Sequence, residues 1–314
     1  AYAAIALFAL TLGPLQTTFA QGDNTSFNWK FEEGSKLMEE RFYNQAADIW
    51  SQLLTTDTEN ANLNYKLGSS YFNSYNQKSK ALPYLEKAAA LRKSGMGGFN
   101  TTGYDPFDPR ERNAPAEVDY YLGRAYHLNN QFDKADMAYQ KFLDEADPKH
   151  ELRASAMRGK EQTANARVLQ AAPMDYLISN VGPVVNNDHP DFSPVLSVDG
   201  NALFYTSRRI RPDSANAAII DPIAGLPYEN VYVSYKDRDG NWQKPEVLNI
   251  NPATGHLATI NVAADGQTLF VYRDDGGDGN IYESKLVGEV WSDPVLMGSD
   301  INTKAWETHG ALSA

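Results

Sequence analysis

The sequence predicts an α + β chain of two domains, a solenoid of helix pairs followed by a domain of repeated β-strands. Three observations predict this order. Similar helical segments recur 34 residues apart in the first half, the hydrophobic period changes from helical to two after about residue 175, and paired strand motifs recur about every 50 residues beyond it. A length of 314 residues agrees with about two domains.

The composition excludes several classes of function. The chain has 28 basic and 40 acidic residues, a net charge of -12 and no run of Lys and Arg, so neither nucleic acid nor an anionic membrane surface is an expected partner. It has no cysteine, which excludes disulfides, thiolate metal sites and a cysteine nucleophile. Its five histidines are scattered along the chain. We therefore expect no cofactor and no histidine-rich metal site.

Residues 1–20 resemble a secretory signal. The stretch AYAAIALFALTLGPL is apolar and uncharged, but Gly13 and Pro14 interrupt it before it reaches the length of a membrane span. Small residues at Thr18-Phe19-Ala20 then form a possible cleavage site before Gln21. We predict export and no transmembrane span; the alternative is a buried helix. A signal also has an initiator Met and a basic leading segment, so we expect the chain to be clipped at its start.

Residues 28–170 predict a helical repeat. Gly34 in FEEGSKL and Gly68 in YKLGSSYF lie 34 residues apart, and Gly123 in YYLGRAY follows after a further 34 plus an insertion of 21. An Ala and an aromatic residue follow the first and third glycines by 12 and 16 positions, whereas Ala81 arrives one position late in the second copy. A small residue is needed where two helices cross closely, and a large one fills the space beside it.

These positions are similar to the tetratricopeptide pattern. The residues that carry the resemblance in the third copy are Leu122, Gly123, Tyr126, Ala135, Tyr139 and Phe142, with Pro148 near the closing proline. The resemblance implies a tetratricopeptide solenoid, in which residues 149–170 form a last helix that caps the stack. It also implies a groove lined by the first helix of each pair, which would bind a protein partner.

Seven side chains are predicted to bind a partner in that groove. Three aromatic residues stand three positions before the glycines, and the others follow the glycines by one or four positions. The candidates are Phe31, Tyr65, Tyr120, Met38, Phe72, Arg124 and His127. The aromatic ladder could stack on an extended peptide; alternatively, these side chains only pack between adjacent helices.

The insertion at residues 94–117 is rich in Gly, Pro, Asn and Asp and cannot continue a helix. We expect a long, mobile surface loop. As an alternative, its aromatic residues Phe99, Tyr104 and Phe107 could dock on the groove or on a partner.

Residues 176–314 predict repeated β-hairpins. The segment 189–209 has a strand ending near Ser197, an Asp199-Gly200 turn and a strand Ala202–Ser207, and the segment 256–275 repeats it around Asp265-Gly266. Residues 208–228 form a longer connection within the first unit. The second hairpins, 229–248 and 279–297, match at Asn-x-Tyr and at Trp-x-x-Pro, with Trp242 equivalent to Trp291. Aligned tryptophans favour a packing role over sugar binding.

Four strands repeating about every 50 residues indicate the blades of a β-propeller, which closes radially and leaves no long exposed edge. We predict two complete four-stranded blades and the start of a third in THGALSA (308–314). The chain is thus expected to be an N-terminal fragment whose propeller cannot close on itself.

The first hairpin, FSPVLSVDGNALFYTSRR, resembles the TolB-type, WD-like propeller repeat. The second copy departs from that pattern, with Asn261-Val262 in place of Ser-Pro and Tyr272-Arg273 in place of Thr-Ser. Helical repeats followed by such blades resemble exported tetratricopeptide, propeller and OmpA-type envelope proteins, and among them the periplasmic component of type IX secretion. The resemblance implies a periplasmic, outer-membrane-associated location. Peptidoglycan contact would require a downstream OmpA-type domain that this sequence lacks.

No catalytic motif is found: the sequence has no Gly-x-Ser-x-Gly elbow, phosphate loop, His-Glu-x-x-His helix or dinucleotide fingerprint. A weak calcium candidate comprises Asp274, Asp275, Asp278 and Asn280, but Asp and Gly are also ordinary turn residues. We predict a non-enzymatic exported scaffold. The alternatives are the propeller-bearing fragment of a prolyl-peptidase-like hydrolase and a TolB-like accessory of envelope maintenance. The reading frame beyond residue 314 would separate them.

Overall fold

The computed structural model describes residues 21–95, 111–274 and 276–311. The chain divides into two compact units, Ala1–Val168 and Leu169–Ala314. The described part of the first unit is helical and that of the second is rich in β-strands, so the predicted order of helices followed by strands is confirmed. The predicted signal segment 1–20 lies outside the described residues, as do residues 96–110 of the predicted insertion and residues 312–314 of the predicted third blade.

The described part of the helical unit contains seven α-helices. They are α1 (Gln21–Glu39), α2 (Tyr43–Leu54), α3 (Ala61–Asn73), α4 (Ala81–Leu91), α5 (Glu117–Leu128), α6 (Phe132–Glu145) and α7 (Arg153–Ala171). A single 3-10 turn, Lys78–Lys80, precedes α4. Each helix from α1 to α5 packs against the next one along the chain, as expected for stacked antiparallel pairs.

Each helix pair crosses at the glycine that the sequence repeat identified. A Cβ atom on that glycine would lie within 3 Å of a large side chain on the second helix. The contacts are Gly34 with Trp50 at 2.7 Å, Gly68 with Leu85 at 2.8 Å and Gly123 with Tyr139 at 2.7 Å. Because no other residue lacks a Cβ, only Gly allows the helices to approach this closely. In the second copy the large residue stands one position later after the glycine than in the other two, as the sequence indicated. The tetratricopeptide-like helical repeat is confirmed.

The last helix, α7, covers the third helix pair. A Cβ atom on Gly159 would lie 2.5 Å from Cζ of Tyr139, so the helix passes directly over that ring. Ala156 on the same side is fully buried, whereas Met157 and Leu169 are exposed. The predicted capping helix is therefore present.

The described end of the insertion, residues 111–116, is held tightly against the helices. Its carbonyl groups accept hydrogen bonds from the first turn of α3, where a helix has backbone N–H groups without an intrahelical partner. The backbone N–H of Asn62 donates to the Arg112 carbonyl at 3.1 Å, and the Asn62 side chain donates to the Glu111 carbonyl at 2.8 Å. Arg112 also makes a bidentate ion pair with Asp57, at 2.7 and 2.9 Å. The expectation of a mobile surface loop is thus wrong for this end, because long-range hydrogen bonds hold it.

The described part of the second unit contains eleven strands. They are β1 (Asp191–Leu196), β2 (Ala202–Ser207), β3 (Ile220–Asp221), β4 (Leu226–Pro227), β5 (Asn230–Tyr235), β6 (Glu246–Val247), β7 (Leu257–Val262), β8 (Thr268–Asp274), β9 (Gly279–Val287), β10 (Val290–Trp291) and β11 (Val295–Leu296). Sheet 1 has the order β1-β2-β5-β6, and sheet 2 has the order β10-β9-β8-β7 with β11 also paired to β9. Strands β3 and β4 form a small hairpin in the longer connection.

The Asp-Gly turns occupy the same place in both sheets. Gly200 and Gly266 have φ angles of +70° and +69°, a conformation that favours glycine. Counting back from these turns along the strand pairs, Ser193-Pro194 in β1 is equivalent to residues 259–260 in β7. The sequence-based equivalence with Asn261-Val262 is therefore wrong. Each strand contains one extra residue at this point, a β-bulge that period-two reasoning does not register.

The main core of the β-rich unit lies between sheet 1 and sheet 2. Trp291 of sheet 2 is buried there and meets Phe204 of sheet 1 edge-on, with ring centroids 5.9 Å apart. The packing role predicted for Trp291 is confirmed. Its counterpart Trp242 lies on the opposite face of sheet 1, in a smaller cluster with Tyr205 and Tyr232.

Two asparagines repeat in the structure although no sequence motif marks them. Asn251 accepts a hydrogen bond from the Val231 N–H at 2.6 Å and donates to the Val231 carbonyl at 2.9 Å. Asn302 makes the same pair of bonds to Ile281, at 2.8 and 2.9 Å. Each side chain thereby binds both the backbone N–H and the backbone carbonyl of one strand residue. In β5 and in β9 that residue directly follows the Asn of the Asn-x-Tyr motif.

Candidate functional site

The seven side chains predicted to bind a partner lie on the first helix of each pair, and most of them are buried. Phe31, Tyr65, Phe72 and Tyr120 are at most 9% exposed, whereas the other three are half-buried. In this structure the aromatic ladder packs between helices, which is the second of the two interpretations given above. A partner can therefore reach only the edges of the ladder.

Phe31 and Met38 belong to the core of the first helix pair. The Phe31 ring meets Trp50 edge-on at 5.2 Å, and Met38 packs against the same cluster. The ammonium group of Lys66 lies 5.1 Å from the centroids of both rings. Burial lowers the pKa of Lys66 to about 8. These residues stabilise the helix pair and do not form an open surface.

Four of the predicted residues come together between α3 and α5. Tyr65, Phe72 and Tyr120 surround the ring of Tyr121, with centroid distances of 6.1, 6.1 and 5.3 Å. Arg124 covers this group: its Cζ atom lies 4.6 Å from the Phe72 centroid and 5.6 Å from the Tyr120 centroid. We call this group the Arg124 cluster.

Tyr121 is the member of the Arg124 cluster that sequence reasoning missed. It stands two positions before Gly123, outside the ladder, and it is only half-buried. The Asn73 side chain donates to its hydroxyl at 3.3 Å. Burial raises the pKa of Tyr121, and that of Tyr65 well above its usual value. Both phenols therefore stay protonated at neutral pH.

The guanidinium of Arg124 lies against aromatic rings. Among the described residues, no carboxylate forms an ion pair with it. Two rings hold the side chain in place, which lowers the entropy cost of using it for recognition. A half-buried cation that two rings orient and that no described carboxylate neutralises is a suitable group for binding an anion.

His127 is placed apart from this cluster. Its Nδ1 atom lies 3.1 Å from the Thr163 hydroxyl of α7, and its ring meets Phe132 edge-on at 5.3 Å. It therefore joins the third helix pair to the capping helix.

A groove of about 610 Å³ lies between α4 and α6, above α5. Leu122 and Ala138 contribute an apolar floor, and Met137 on its wall is 71% exposed. One acidic group beside it is already paired: Asp119 binds Lys141 at 3.1 Å and Arg92 at 3.0 Å. None of the seven predicted residues lines this groove.

The calcium candidate finds no support among the described residues. Asp274 accepts a hydrogen bond from the Gly277 N–H at 2.6 Å, as a turn residue does, and the Asn280 side chain donates to the Asp278 carbonyl at 3.2 Å. Asp275 lies outside the described residues. In the described ranges no group of three His, Asp or Glu side chains could hold a metal ion.

No helix in the part of the chain that the structure describes is long and apolar enough to cross a membrane.

No protein-family model matches the sequence, and no curated protein matches it. Solved structures of tetratricopeptide domains do match. The first tetratricopeptide domain of human RPAP3 has 16% identity and a TM-score of 0.36 and covers 48% of this chain and 99% of its own. The type III secretion translocator chaperone SycD of Yersinia enterocolitica has 10% identity, a TM-score of 0.34 and coverages of 48% and 89%.

The Sgt2 tetratricopeptide domain from Aspergillus fumigatus has 18% identity and a TM-score of 0.34, and covers 55% of this chain and 95% of its own. The likeness lies in the fold, whose helix pairs cross at Gly34, Gly68 and Gly123 as in stacked tetratricopeptide-like repeats.

Proposed function

We propose that this chain is a non-enzymatic scaffold of the bacterial envelope, and that its helical unit binds an acidic segment of a partner protein at the Arg124 cluster. The observation that carries the proposal is the half-buried Arg124 guanidinium, stacked on Phe72 and Tyr120 with no carboxylate partner among the described residues.

The choice of an acidic partner follows from the energetics of the buried cation. A half-buried charge loses part of its hydration and recovers that cost when it meets an opposite charge. Arg92 in the same unit already has two carboxylates, whereas Arg124 has two rings. A carboxylate from a partner would make a charge-assisted hydrogen bond to a guanidinium that is already oriented.

Peptide binding tests this proposal. The probe is an amidated, fluorescein-labelled ten-residue peptide of alternating Glu and Ser, measured by fluorescence anisotropy, with a Gln and Ser peptide as the neutral comparison. We expect Arg124→Gln to weaken binding of the acidic peptide about fivefold to tenfold, because an interfacial charge pair is lost. Arg158→Gln, an exposed arginine of α7, is the matched control and should change binding less than about twofold.

Two outcomes would contradict the proposal. The acidic and neutral peptides could bind equally, or Arg124→Gln could leave binding of the acidic peptide unchanged while its circular dichroism spectrum matches that of the parent chain.

We also propose export to the periplasm and membership of an outer-membrane-associated assembly of type IX secretion. Support comes from the apolar, uncharged stretch in residues 1–20 and from the resemblance in domain order. Residues 1–20, preceded by an initiator Met and a basic segment and fused after Ala20 to alkaline phosphatase, should give an active enzyme in a Gram-negative host, since the enzyme needs the oxidising periplasm to form its disulfides. An inactive, cytoplasmic fusion of this kind would exclude this export route. Copurification of a type IX component from envelope fractions, reduced by Arg124→Gln, would connect the location to the docking surface.

We infer that sheet 1 and sheet 2 are successive blades of a β-propeller. In each sheet the first three strands, β1-β2-β5 and β7-β8-β9, lie side by side in chain order and are antiparallel. Their Asp-Gly turns correspond, and Asn251 and Asn302 make the same contacts. A propeller blade presents one face to each neighbour, which agrees with Trp242 and Trp291 being equivalent and packing on opposite sides of sheet 1. The propeller would serve as a second docking surface of the scaffold.

A further inference from the structure

The groove between α4 and α6 has a counterpart one repeat earlier, between α2 and α4. The later groove has α5 as its floor, and the earlier one has α3, the equivalent helix of the second pair. Counted from the repeated glycines, Leu67 and Tyr71 of α3 correspond to Leu122 and Tyr126 of α5. The two grooves therefore have the same floor.

Side chains of the chain itself fill the earlier groove. The Tyr84 ring of α4 lies 5.6 Å from the Tyr71 ring between centroids, and both rings pack against the core of the first helix pair. Leu54 of α2 packs against the same core. In the alignment given by the glycine contacts, Tyr84 corresponds to Ala138 and Leu54 to Ala89. Two large side chains in the earlier groove are thus replaced by two alanines in the later one.

The later groove keeps the contacts that position the floor tyrosine. The Nζ atom of Lys80 lies 5.5 Å from the Tyr71 centroid, and that of the equivalent Lys134 lies 5.2 Å from the Tyr126 centroid. The Tyr126 hydroxyl donates to the Glu86 carboxylate at 2.9 Å. A cation over the ring and an acceptor at its hydroxyl hold Tyr126 before a partner binds. The groove therefore contains one ring of an aromatic pair and lacks the other.

The place of the missing ring is apolar and open. Leu122, Ala89 and Ala138 line the groove, and Met137 beside them is 71% exposed. A methionine side chain adapts its shape to the group that it contacts. Covering this surface with an apolar group removes it from water, which favours binding.

Each charged residue that lines the groove has a contact within the chain. Glu86 accepts from the Tyr126 hydroxyl, Lys134 lies over the Tyr126 ring, and Lys141 pairs with Asp119. A charged ligand group would compete with these contacts, whereas an uncharged ring would leave them in place. The groove therefore favours an aromatic group over an ion.

We propose that this groove binds an aromatic side chain of a partner polypeptide, which takes the place that Tyr84 has one repeat earlier. The partner's ring lies against Tyr126 as the Tyr84 ring lies against Tyr71. The proposal does not depend on the acidic partner of the Arg124 cluster, because no member of that cluster lines the groove.

The test uses three uncharged peptides, N-acetyl-Gly-Ser-Ala-Ala-X-Ala-Ala-Ser-Gly-amide, in which X is Tyr, Leu or Ala. Binding to the full chain is followed by NMR of its methionine methyl groups labelled with carbon-13. The Met137 methyl reports on the groove, because a docked ring shifts its resonance, and Met157 on α7 is an exposed control that should not shift. The Met137 resonance is the one lost in Met137→Leu.

We expect the Tyr peptide to bind about threefold to tenfold more tightly than the Leu peptide, because only a ring forms an aromatic pair with Tyr126. The Ala peptide should bind at least about tenfold more weakly than the Tyr peptide, because it buries far less apolar surface. Since the peptides carry no acidic group, failure here leaves the result at Arg124 unaffected.

Two substitutions locate the binding site by filling the groove as the second helix pair does. Ala138→Tyr places the chain's own ring in the groove and should weaken binding of the Tyr peptide at least about tenfold. Ala89→Leu narrows the groove and should weaken it about threefold to tenfold. Ala164→Tyr, the same change at an exposed position of α7, is the matched control and should leave binding within about twofold. Thermal melting by circular dichroism establishes that each variant is folded.

Four results would overturn the proposal. The three peptides could bind equally, or leave the Met137 resonance unshifted at millimolar concentration. Folded Ala138→Tyr and Ala89→Leu could bind the Tyr peptide as the parent does. Binding that appears only after Phe99→Ala, Tyr104→Ala and Phe107→Ala are combined would assign the groove to the insertion of the chain itself. Concentration-dependent association that Ala138→Tyr abolishes and the Tyr peptide does not displace would assign it to a second copy of the chain.

Discussion

The described parts of the helical unit and of the β-rich unit each contain a buried arginine that holds two carboxylates. In the helical unit, Arg92 binds Asp119 at 3.0 Å and Glu145 at 2.5 Å. In the β-rich unit, Arg208 binds Asp221 at 2.9 Å and Glu229 at 2.6 Å. The two arginine side chains are 6% and 4% exposed. In both units a planar guanidinium joins segments that are distant in the sequence.

The two clusters differ in the second cation. Lys141 binds Asp119 at 3.1 Å, whereas in the other cluster His256 binds Glu229 at 2.6 Å. In the helical cluster the two carboxylates therefore face two basic side chains, Lys141 and Arg92. The hydrogen bond to Glu229 raises the pKa of His256, and the cluster of the β-rich unit is balanced only while that histidine is protonated. Similar geometry thus leads to a different response to pH.

The carboxylates of the helical cluster also differ from each other. Burial raises the pKa of Asp119, and the cations Lys141 and Arg92 oppose this effect. At the more exposed Glu145, burial acts in the same direction, but the hydrogen bonds from Arg92 and Ser94 and the charges of Arg92 and Lys141 together outweigh it, and the pKa is lowered. The buried carboxylate therefore depends on its cations more than the exposed one does.

The largest expected effect comes from removing either arginine. Arg208→Met should lower the free energy of unfolding of the β-rich unit by about 3–5 kcal/mol, because two buried carboxylates lose their cation. Arg92→Met should do the same in the helical unit. Hydrogen exchange measured by mass spectrometry reports on the two units separately, and each substitution should accelerate exchange mainly in its own unit.

Arg211→Met is the control for this comparison. Arg211 is half-buried and pairs with the exposed Asp213, so its loss should cost less than about 1 kcal/mol. Equal effects of Arg208→Met and Arg211→Met would show that burial of the pair is unimportant.

A smaller effect is expected from pH at the cluster of the β-rich unit. Because the folded pKa of His256 is raised, its stabilising contribution is complete below the ordinary histidine value of about 6.5 and is lost as the pH rises through the folded value. Strands near His256 should therefore exchange faster at pH 8 than at pH 6 after correction for the intrinsic rate. The substitution His256→Gln should remove this difference. A difference that persists in the variant would assign the pH response to another group.

The smallest effect is expected at Lys141. Its side chain is 47% exposed, so Lys141→Met should change the stability of the helical unit by less than about 1 kcal/mol, although Asp119 loses one cation. Urea unfolding followed by circular dichroism at 222 nm measures this change. A loss as large as that of Arg92→Met would mean that Arg92 alone cannot hold the buried Asp119.

The features predicted correctly from the sequence are those that depend on short, regular spacing. The glycines Gly34, Gly68 and Gly123 indicated the helix crossings because each needs a large residue 16 or 17 positions later on the paired helix. The Asp-Gly dipeptides indicated the hairpin turns because a positive φ is required there. In both cases the partner is close in the chain, and the residue type alone expresses the steric requirement.

The candidate site was predicted only in part. Helical periodicity placed Phe72, Tyr120 and Arg124 on one face, and the structure brings them together. Helical periodicity does not indicate how deeply a ring on that face is buried, because burial depends on the neighbouring helices. Phe31, a member of the same ladder, lies instead in a core with Trp50.

The sequence by itself determined the order of the two units, the crossing points of the helices and the turns of the hairpins. Only the tertiary structure decided which charges are paired. Arg92 meets carboxylates 27 and 53 residues away, and Asn302 binds the backbone of Ile281, 21 residues before it. The physical reason is that a hydrogen bond or ion pair needs two groups within about 3 Å, and sequence spacing sets that distance only inside one helix or hairpin.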